Sequence, residues 1–91
     1  MSPSPRLSPD VVSCDTEDGL VLLDSRRGRY WQLNATGAAI VRGLLGGAAV
    51  ERIAAELSRK QPVTADRAAE DIRTLVDQLT RARLIEAGNA S

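Results

Sequence analysis

The stretch RGRYWQLNATG, residues 27–37, contains the point at which the predicted structure changes from strand to helix. Gly28 can adopt the positive φ of a hairpin loop, and residues 29–33 then read as the returning strand. Asn34 is a favoured N-cap residue, because its side-chain oxygen accepts hydrogen bonds from the free N–H groups of a first helical turn. We therefore expect a hairpin strand that leads directly into a helix.

Two further strands are predicted upstream of this hairpin strand. Residues 11–14 form a short apolar–polar run, and Glu17, Asp18 and Gly19 make a turn. Residues 20–23 (LVLL) form a continuous apolar run that is too short for a confident helix and is bounded by turn residues. Together these segments predict a three-stranded antiparallel meander over residues 10–33.

Three helices are predicted downstream of the meander. The first follows the N-cap and ends at Gly46, and the second ends before Pro62. The third and longest starts at Thr64 or Asp66 and runs to about Arg83, and a short extended piece follows it. Strands that precede helices without alternating with them indicate an α+β domain, with a small sheet packed against the helices.

The ends of the chain differ in composition from this domain. Residues 1–9 contain three of the four prolines together with three serines, which predicts a flexible N-terminal arm. Residues 87–91 form a short polar stretch that predicts a flexible tail. The interpretation is therefore one folded domain over residues 10–86 between two flexible ends.

Composition and charge exclude several classes of function. The 12 basic and 12 acidic residues cancel, whereas binding to nucleic acid or to an anionic membrane depends on clustered Lys and Arg. The chain has no histidine and a single cysteine, Cys14, so the usual general base and the commonest metal ligand are missing. We expect no catalytic residue, no metal and no cofactor, and a reduced, cytoplasmic location.

The meander carries more apolar surface than one layer of helices can cover. Leu20 and Leu22 share one face of the second strand, while the equally apolar Val21 and Leu23 share the other. On the third strand Trp31 and Leu33 are assigned to the core, so Tyr30 and Gln32 face away. Either the N-terminal arm or the first strand covers this second face, or it is an apolar surface that awaits a partner.

The third strand and the third helix together suggest a peptide site. In a meander the third strand lies at an edge of the sheet, where a peptide can add as a further strand. The apolar stripe of the third helix, with Ala68, Ile72 and Leu75, is either fully buried or shared between the core and a groove beside that edge. Four acidic and four basic residues balance along this helix, which does not fit a DNA recognition helix.

Three sequence patterns resemble the PqqD-like family. They are a D-x-x-x-G-x-Y-x-x-L-N-x-T-G run at residues 24–37, a V-x-x-I-A-x-x-L second helix at 50–57, and an R-L-I-E ending at 83–86. Members of this family are recognition elements for the leader peptides of ribosomally synthesised and modified peptides. The resemblance covers about residues 10–86, and the stand-alone form from bacterial lasso-peptide biosynthesis is the most similar; a PQQ-pathway peptide chaperone for a radical enzyme is the alternative.

The resemblance implies a winged helix-turn-helix-like fold that binds a precursor's leader as an added strand and has no catalytic activity. It implies that the third strand forms the ladder with the peptide through Arg29, Tyr30, Trp31, Gln32 and Leu33. It also implies that Ala68, Ile72 and Leu75 of the third helix line apolar pockets. Arg67 and Asp71 would then form the rim. The implied partners are a cysteine-protease-type leader peptidase and a cyclase. The protein is expected to be a monomer that at most dimerises weakly.

Two readings remain open beside this one. A small winged-helix protein that binds DNA has the same order of elements, although zero net charge speaks against it. A structural subunit that dimerises through its apolar sheet face is the other.

Overall fold

The chain folds as a three-stranded antiparallel meander followed by three helices, and the structure, a computed structural model, describes residues 5–86. The α+β fold class and the order of its elements are as expected from the sequence. Two very short strands flank this arrangement. In chain order the elements are β1 (Arg6–Leu7), β2 (Val11–Thr16), β3 (Gly19–Asp24), β4 (Arg29–Asn34), α1 (Ala35–Leu45), α2 (Val50–Lys60), α3 (Ala65–Arg81) and β5 (Ile85–Glu86).

The register of the meander separates an inward face from an outward face. The order is β2-β3-β4, and Leu22 pairs with Ser13 on one side and with Trp31 on the other. Leu22 is fully buried beneath the helices, so this row belongs to the inward face. The predicted assignment of Trp31 and Leu33 to the core is confirmed, because Leu33 is buried and Trp31 packs against the same cluster.

Local interactions define the ends of the helices. The Asn34 side chain accepts a hydrogen bond of 2.8 Å from the N–H of Gly37, which confirms the predicted N-cap of α1. The Thr64 hydroxyl accepts one of 3.1 Å from the N–H of Arg67 at the start of α3. Gly28 has φ +64°, the left-handed conformation that the hairpin loop requires.

The end of α3 is a chain reversal built around a left-handed arginine. Arg83 has φ 62°, and its N–H donates to the carbonyl of Thr80, while the N–H of Leu84 donates to the carbonyl of Leu79. These two bonds are those of a Schellman motif, in which glycine is the usual left-handed residue. The motif ends α3 at Arg81, slightly earlier than the sequence predicted, and turns the chain back towards the sheet.

The described N-terminal residues are held against the end of the chain. Arg6 and Leu7 pair with Glu86 and Ile85 as a small antiparallel sheet, and the N–H of Ser8 donates to the carbonyl of Leu84. These two residues fall inside the predicted flexible arm but form strand β1. Residues 1–4 of the predicted arm and the predicted tail, residues 87–91, lie outside the described residues.

The core consists of two adjoining clusters. One lies between the inward face of the sheet and the helices, and contains Leu22 and Leu79. The other lies among the three helices and contains Ile53 and Ile72. Leu75 packs against both clusters while keeping part of its side chain exposed. No helix within residues 5–86 has the length and apolar character needed to cross a bilayer.

Candidate functional site

One edge of the meander is open along β4. Within residues 5–86 this strand pairs only with β3, so the backbone groups on its other side have no strand partner. The strand contains no proline, and Arg29 is its only charged residue, so it lacks the usual features that prevent another strand from adding. The predicted position of this strand at the sheet edge is confirmed.

One side of α3 faces away from α2 and is free to border this edge. Arg73 points towards α2, where it forms an ion pair of 3.1 Å with Glu51. Successive residues of a helix are rotated by 100° about its axis, so the residues that lie opposite Arg73 form one row along the helix. Its members are Arg67, Asp71, Leu75, Gln78 and Ala82, and we call this row the free side of α3.

A hydrogen bond brings the end of the free side to the start of β4. The Arg29 guanidinium donates to the carbonyl of Ala82 with an Nη2–O distance of 2.6 Å, which joins residues 53 positions apart. Trp31 and Leu75 are both half-buried, and both pack against the core cluster under the sheet. The candidate site is therefore the space between the open edge of β4 and the free side of α3, which we call the groove, and its half-buried apolar residues are Trp31 and Leu75.

The groove ends in a cavity beside the hairpin loop. The cavity has a volume of about 400 Å³ and is lined by Gly28, Arg29, Tyr30, Trp31 and Leu84. Most of its lining is apolar, and the Arg29 guanidinium is the only charged group in it. Pockets of this kind accept an apolar or aromatic side chain.

A buried carboxylate holds the hairpin loop and Arg29 in position. Asp24 is 2% exposed and accepts hydrogen bonds of 3.1 Å from the backbone N–H groups of Arg26 and Arg27. Its other oxygen lies 3.4 Å from the guanidinium groups of Arg27 and Arg29. Burial raises the pKa of Asp24, but the Arg27 N–H and the two guanidinium groups outweigh it, so that the pKa lies below its ordinary value.

This lowered pKa predicts an acid-dependent loss of stability. Because the folded state binds the Asp24 proton less readily than the unfolded state, the stabilisation is complete above the unfolded pKa and is lost as pH falls through the folded one. We expect the Tm of the wild type to exceed that of Asp24→Asn at pH 7, and the difference to shrink as pH falls below about 4. Thermal melts of both proteins between pH 7 and pH 2.5 measure it. A difference that does not change with pH would contradict the assignment.

The predicted residues of β4 divide between the two faces of the sheet. Tyr30 and Gln32 point outward and are exposed, whereas Trp31 and Leu33 point inward. The side chain of Leu33 is buried in the core, so this residue can offer a peptide only its backbone. The Arg29 guanidinium donates hydrogen bonds to the Asp24 carboxylate and to the Ala82 carbonyl, beside the hairpin loop.

The predicted residues of α3 also divide. Ala68 and Ile72 are 2% and 0% exposed and lie in the cluster among the helices, so in this structure neither presents a surface to a peptide. Leu75 keeps an exposed part at the base of the groove. Arg67 and Asp71 are exposed on the rim and form an ion pair of 3.5 Å with each other.

Four residues of the groove were not among those predicted from the sequence: Gly28, Gln78, Ala82 and Leu84. Gly28 and Leu84 belong to the sequence patterns that resemble the PqqD-like family. From the sequence, however, Gly28 indicates only a hairpin loop, and Leu84 only a short extended segment after the third helix. Ala82 contributes a carbonyl oxygen, a group that every residue has. Gly28 directly precedes β4 in the sequence, but nothing local to Ala82 or Leu84 indicates that they lie beside that strand.

The side chains that could ligate a metal ion lie apart from one another in the part of the chain that the structure describes. No group of three or more Cys, Asp or Glu residues could hold a metal ion there. Cys14 is exposed on the outward face of β2, away from the groove.

The groove itself can bind an extended chain, through backbone hydrogen bonds on one wall and side-chain contacts on the other.

Known proteins resemble this chain in sequence and in structure. Residues 19–85 match the family described as coenzyme PQQ synthesis protein D (PqqD). No curated protein matches the chain. A solved structure of lasso peptide synthetase B1 complexed with the leader peptide is 38% identical, with a TM-score of 0.86 over 91% of this chain and 98% of the other. A structure of TbiB1 in complex with the TbiA(beta) leader peptide is 30% identical, with a TM-score of 0.80 over 94% and 99%.

Proposed function

This chain belongs to the PqqD family, and from that premise we propose that it binds the leader of a ribosomally made precursor peptide as an added strand on β4. The observation that carries the proposal is the open edge of β4 beside the free side of α3. The two similar structures, both described as complexes with a leader peptide, support it at 38% and 30% identity.

The backbone of β4 supplies the first part of the binding energy. A docked segment of about five residues forms about four ladder hydrogen bonds, each worth about 1 kcal/mol net. Ordering a flexible leader costs about 2–5 kcal/mol, a sum of the same size. The ladder therefore sets the path and direction of the peptide, and side-chain anchors must supply the affinity.

The base of the groove supplies those anchors. Alternate side chains of an added strand point inward, towards Trp31, Leu75 and the cavity that Leu84 helps to line. Each apolar side chain buried there contributes about 2 kcal/mol. Arg67 and Asp71 on the rim add polar contacts that select among leaders more than they tighten binding.

The proposed role is presentation without catalysis. The chain holds the leader extended, and a cysteine-protease-type leader peptidase, then a cyclase, act on the precursor. The chain has no histidine that could act as a base for Cys14, as expected for a module that recognises a peptide without reacting with it. Residues 10–86 would form this module, and it would work in the cytoplasm, where ribosomes release the precursor. The similarity to lasso peptide synthetase B1 favours lasso-peptide biosynthesis over the PQQ pathway.

The only tryptophan of the chain allows a direct test. Trp31 lies at the base of the groove, so we expect its fluorescence to change as a synthetic leader peptide is titrated, and to saturate with a Kd of about 1 µM or lower. A scrambled peptide of the same composition is the control. The proposal would be refuted if the scrambled peptide bound equally well. It would also be refuted if the leader caused no saturable change in fluorescence and calorimetry detected no binding.

A further inference from the structure

The two sides of the cavity at the end of the groove come from distant parts of the sequence. One side is the hairpin loop with the start of β4, which contributes Gly28 and Arg29, and the other side is Leu84, which follows α3. The size of the side chain that fits between them therefore depends on how the hairpin loop is held relative to Leu84.

A second cavity lies between the hairpin loop and the residues that follow α3. It has a volume of about 240 Å³, and its lining includes residues of the loop, of the segment after α3 and of the start of the described chain: Arg26, Arg27; Arg83, Glu86; Ser8, Asp10. An open space of this size limits direct packing between the loop and the segment after α3. Their spacing must be set by other contacts, of which the hydrogen bond from Arg29 to the Ala82 carbonyl is one.

Residues 6–10, which we call the N-terminal segment, hold the Leu84 side of the cavity. The strand β1 of this segment pairs with β5, and the N–H of Ser8 donates a hydrogen bond of 3.0 Å to the carbonyl of Leu84. Leu7 packs against the core cluster that contains Leu84. The backbone of Leu84 is thus bonded to the N-terminal segment directly, next to the side chain that lines the cavity.

The same segment also holds the hairpin loop. The carbonyl of Asp10 accepts two hydrogen bonds from Ser25, one of 3.1 Å from its backbone N–H and one of 3.2 Å from its hydroxyl. The Asp10 carboxylate forms an ion pair of 3.7 Å with Arg26. Only Pro9 separates Ser8 from Asp10, and its ring restricts the backbone, so the connection between the two sides of the cavity is short and stiff.

We propose that the N-terminal segment is a positioning element for leader binding, which sets the width of the cavity and so the size of the leader side chain that the cavity accepts. The inference rests on the proposed function, because it takes the cavity as the place of a leader side chain. While the segment is attached, the spacing of the two sides is fixed before the leader arrives, and a side chain of matching size contacts both of them. When the segment is detached, the spacing varies and the same side chain makes fewer contacts. These residues precede the stretch 19–85 that matches the PqqD family, so membership of the family does not assign them this role.

Ser8→Pro tests this inference, because proline removes the N–H that donates to Leu84 and leaves the side chains of β1 unchanged. We expect it to bind a synthetic leader peptide about tenfold more weakly than the wild type, in titrations followed by Trp31 fluorescence and by calorimetry. Ser8→Ala keeps the N–H and is the conservative control, which should bind like the wild type. Leu7→Asp detaches the segment by a different route, through lost packing, and should cause the same loss. Thermal melts show whether each variant is folded.

A set of leader peptides in which each apolar residue in turn is replaced by alanine separates positioning from a general loss of stability. One of these peptides lacks the side chain that fills the cavity, and the variants should bind it within about twofold of the wild type, because the segment then has nothing to position. The tenfold difference should remain for the other peptides. An equal loss with every peptide would mean that the segment only stabilises the fold, and would refute the inference.

Hydrogen exchange of the wild type gives a second test, which needs no folded variant. Coupling between two sites is reciprocal, so a leader that binds the attached segment tenfold more tightly also opposes its detachment tenfold. Exchange of the Ser8 N–H, which becomes free when the segment detaches, should therefore slow about tenfold or more at a saturating leader concentration. An unchanged exchange rate contradicts the coupling.

The outcomes distinguish this inference from the function on which it rests. If folded Ser8→Pro and Leu7→Asp bind the unmodified leader like the wild type, the inference fails and the proposed function stands. If the wild type binds no leader, the proposed function fails, and this inference fails with it.

Discussion

Leu75→Asp is expected to lower the affinity for the leader about 100-fold or more. The exposed part of Leu75 lies at the base of the groove, where an apolar leader side chain would bury it and gain about 2 kcal/mol. An aspartate there loses that contact, and its carboxylate must also give up water when the peptide closes over it. Titration of the leader against Trp31 fluorescence, with calorimetry as a second readout, measures the change.

The controls separate lost contact from lost folding. Leu75 also packs against both core clusters, so the aspartate variant needs a thermal melt that shows it folded. Leu75→Met keeps the volume and should bind within a few-fold of the wild type. Thr74→Asp places the same charge one residue away, on the side of α3 towards α2, and should leave binding unchanged. Wild-type affinity in a folded Leu75→Asp would remove this residue from the site.

Methylation of single backbone nitrogens in the leader should weaken binding with a period of two. If the leader adds to β4 as a strand, every second amide of the docked segment donates to β4 and the others face away. A methyl group on a donating amide removes the bond and clashes with the strand, so we expect a loss of about tenfold to 100-fold at those positions. Methylation at the alternate positions should cost little.

This experiment leaves the protein unchanged, so its fold cannot confuse the result. A leader scanned one residue at a time, with affinity measured at each position, shows the pattern directly. A helical leader in the groove would instead lose affinity at nearly every position beyond its first turn, because each of those N–H groups donates a hydrogen bond within the helix. Losses without a period of two would refute strand addition, even if the leader binds tightly.

The fold could be predicted largely because its signals are local. Asn34 caps α1 through an N–H only three residues away, and Gly28 needs only its own backbone freedom to form the hairpin loop. The alternation of Trp31 and Leu33 with Tyr30 and Gln32 follows from strand geometry. Each of these predictions is confirmed, because neighbouring residues suffice to explain it.

The groove could be predicted only in part. The open edge of β4 followed from the order of the strands. The wall formed by α3 did not, since Ala68, Ile72 and Leu75 belong to one apolar stripe, and helical spacing alone cannot say which part of a wide stripe a neighbouring helix covers. In the structure Ala68 and Ile72 lie in the cluster with α2, and Leu75 lies at the border of that cluster.

By itself, the sequence determined the order of the three meander strands and the three helices, which strand residues share a face, and that both faces of β3 would be apolar. Tertiary structure decided which side of α3 stays free and what closes the groove. The bond from Arg29 to the Ala82 carbonyl and the place of Leu84 beside β4 join parts of the chain more than 50 residues apart. The position of Leu84 follows the left-handed turn at Arg83, and the energy of both contacts depends on packing that no local pattern encodes.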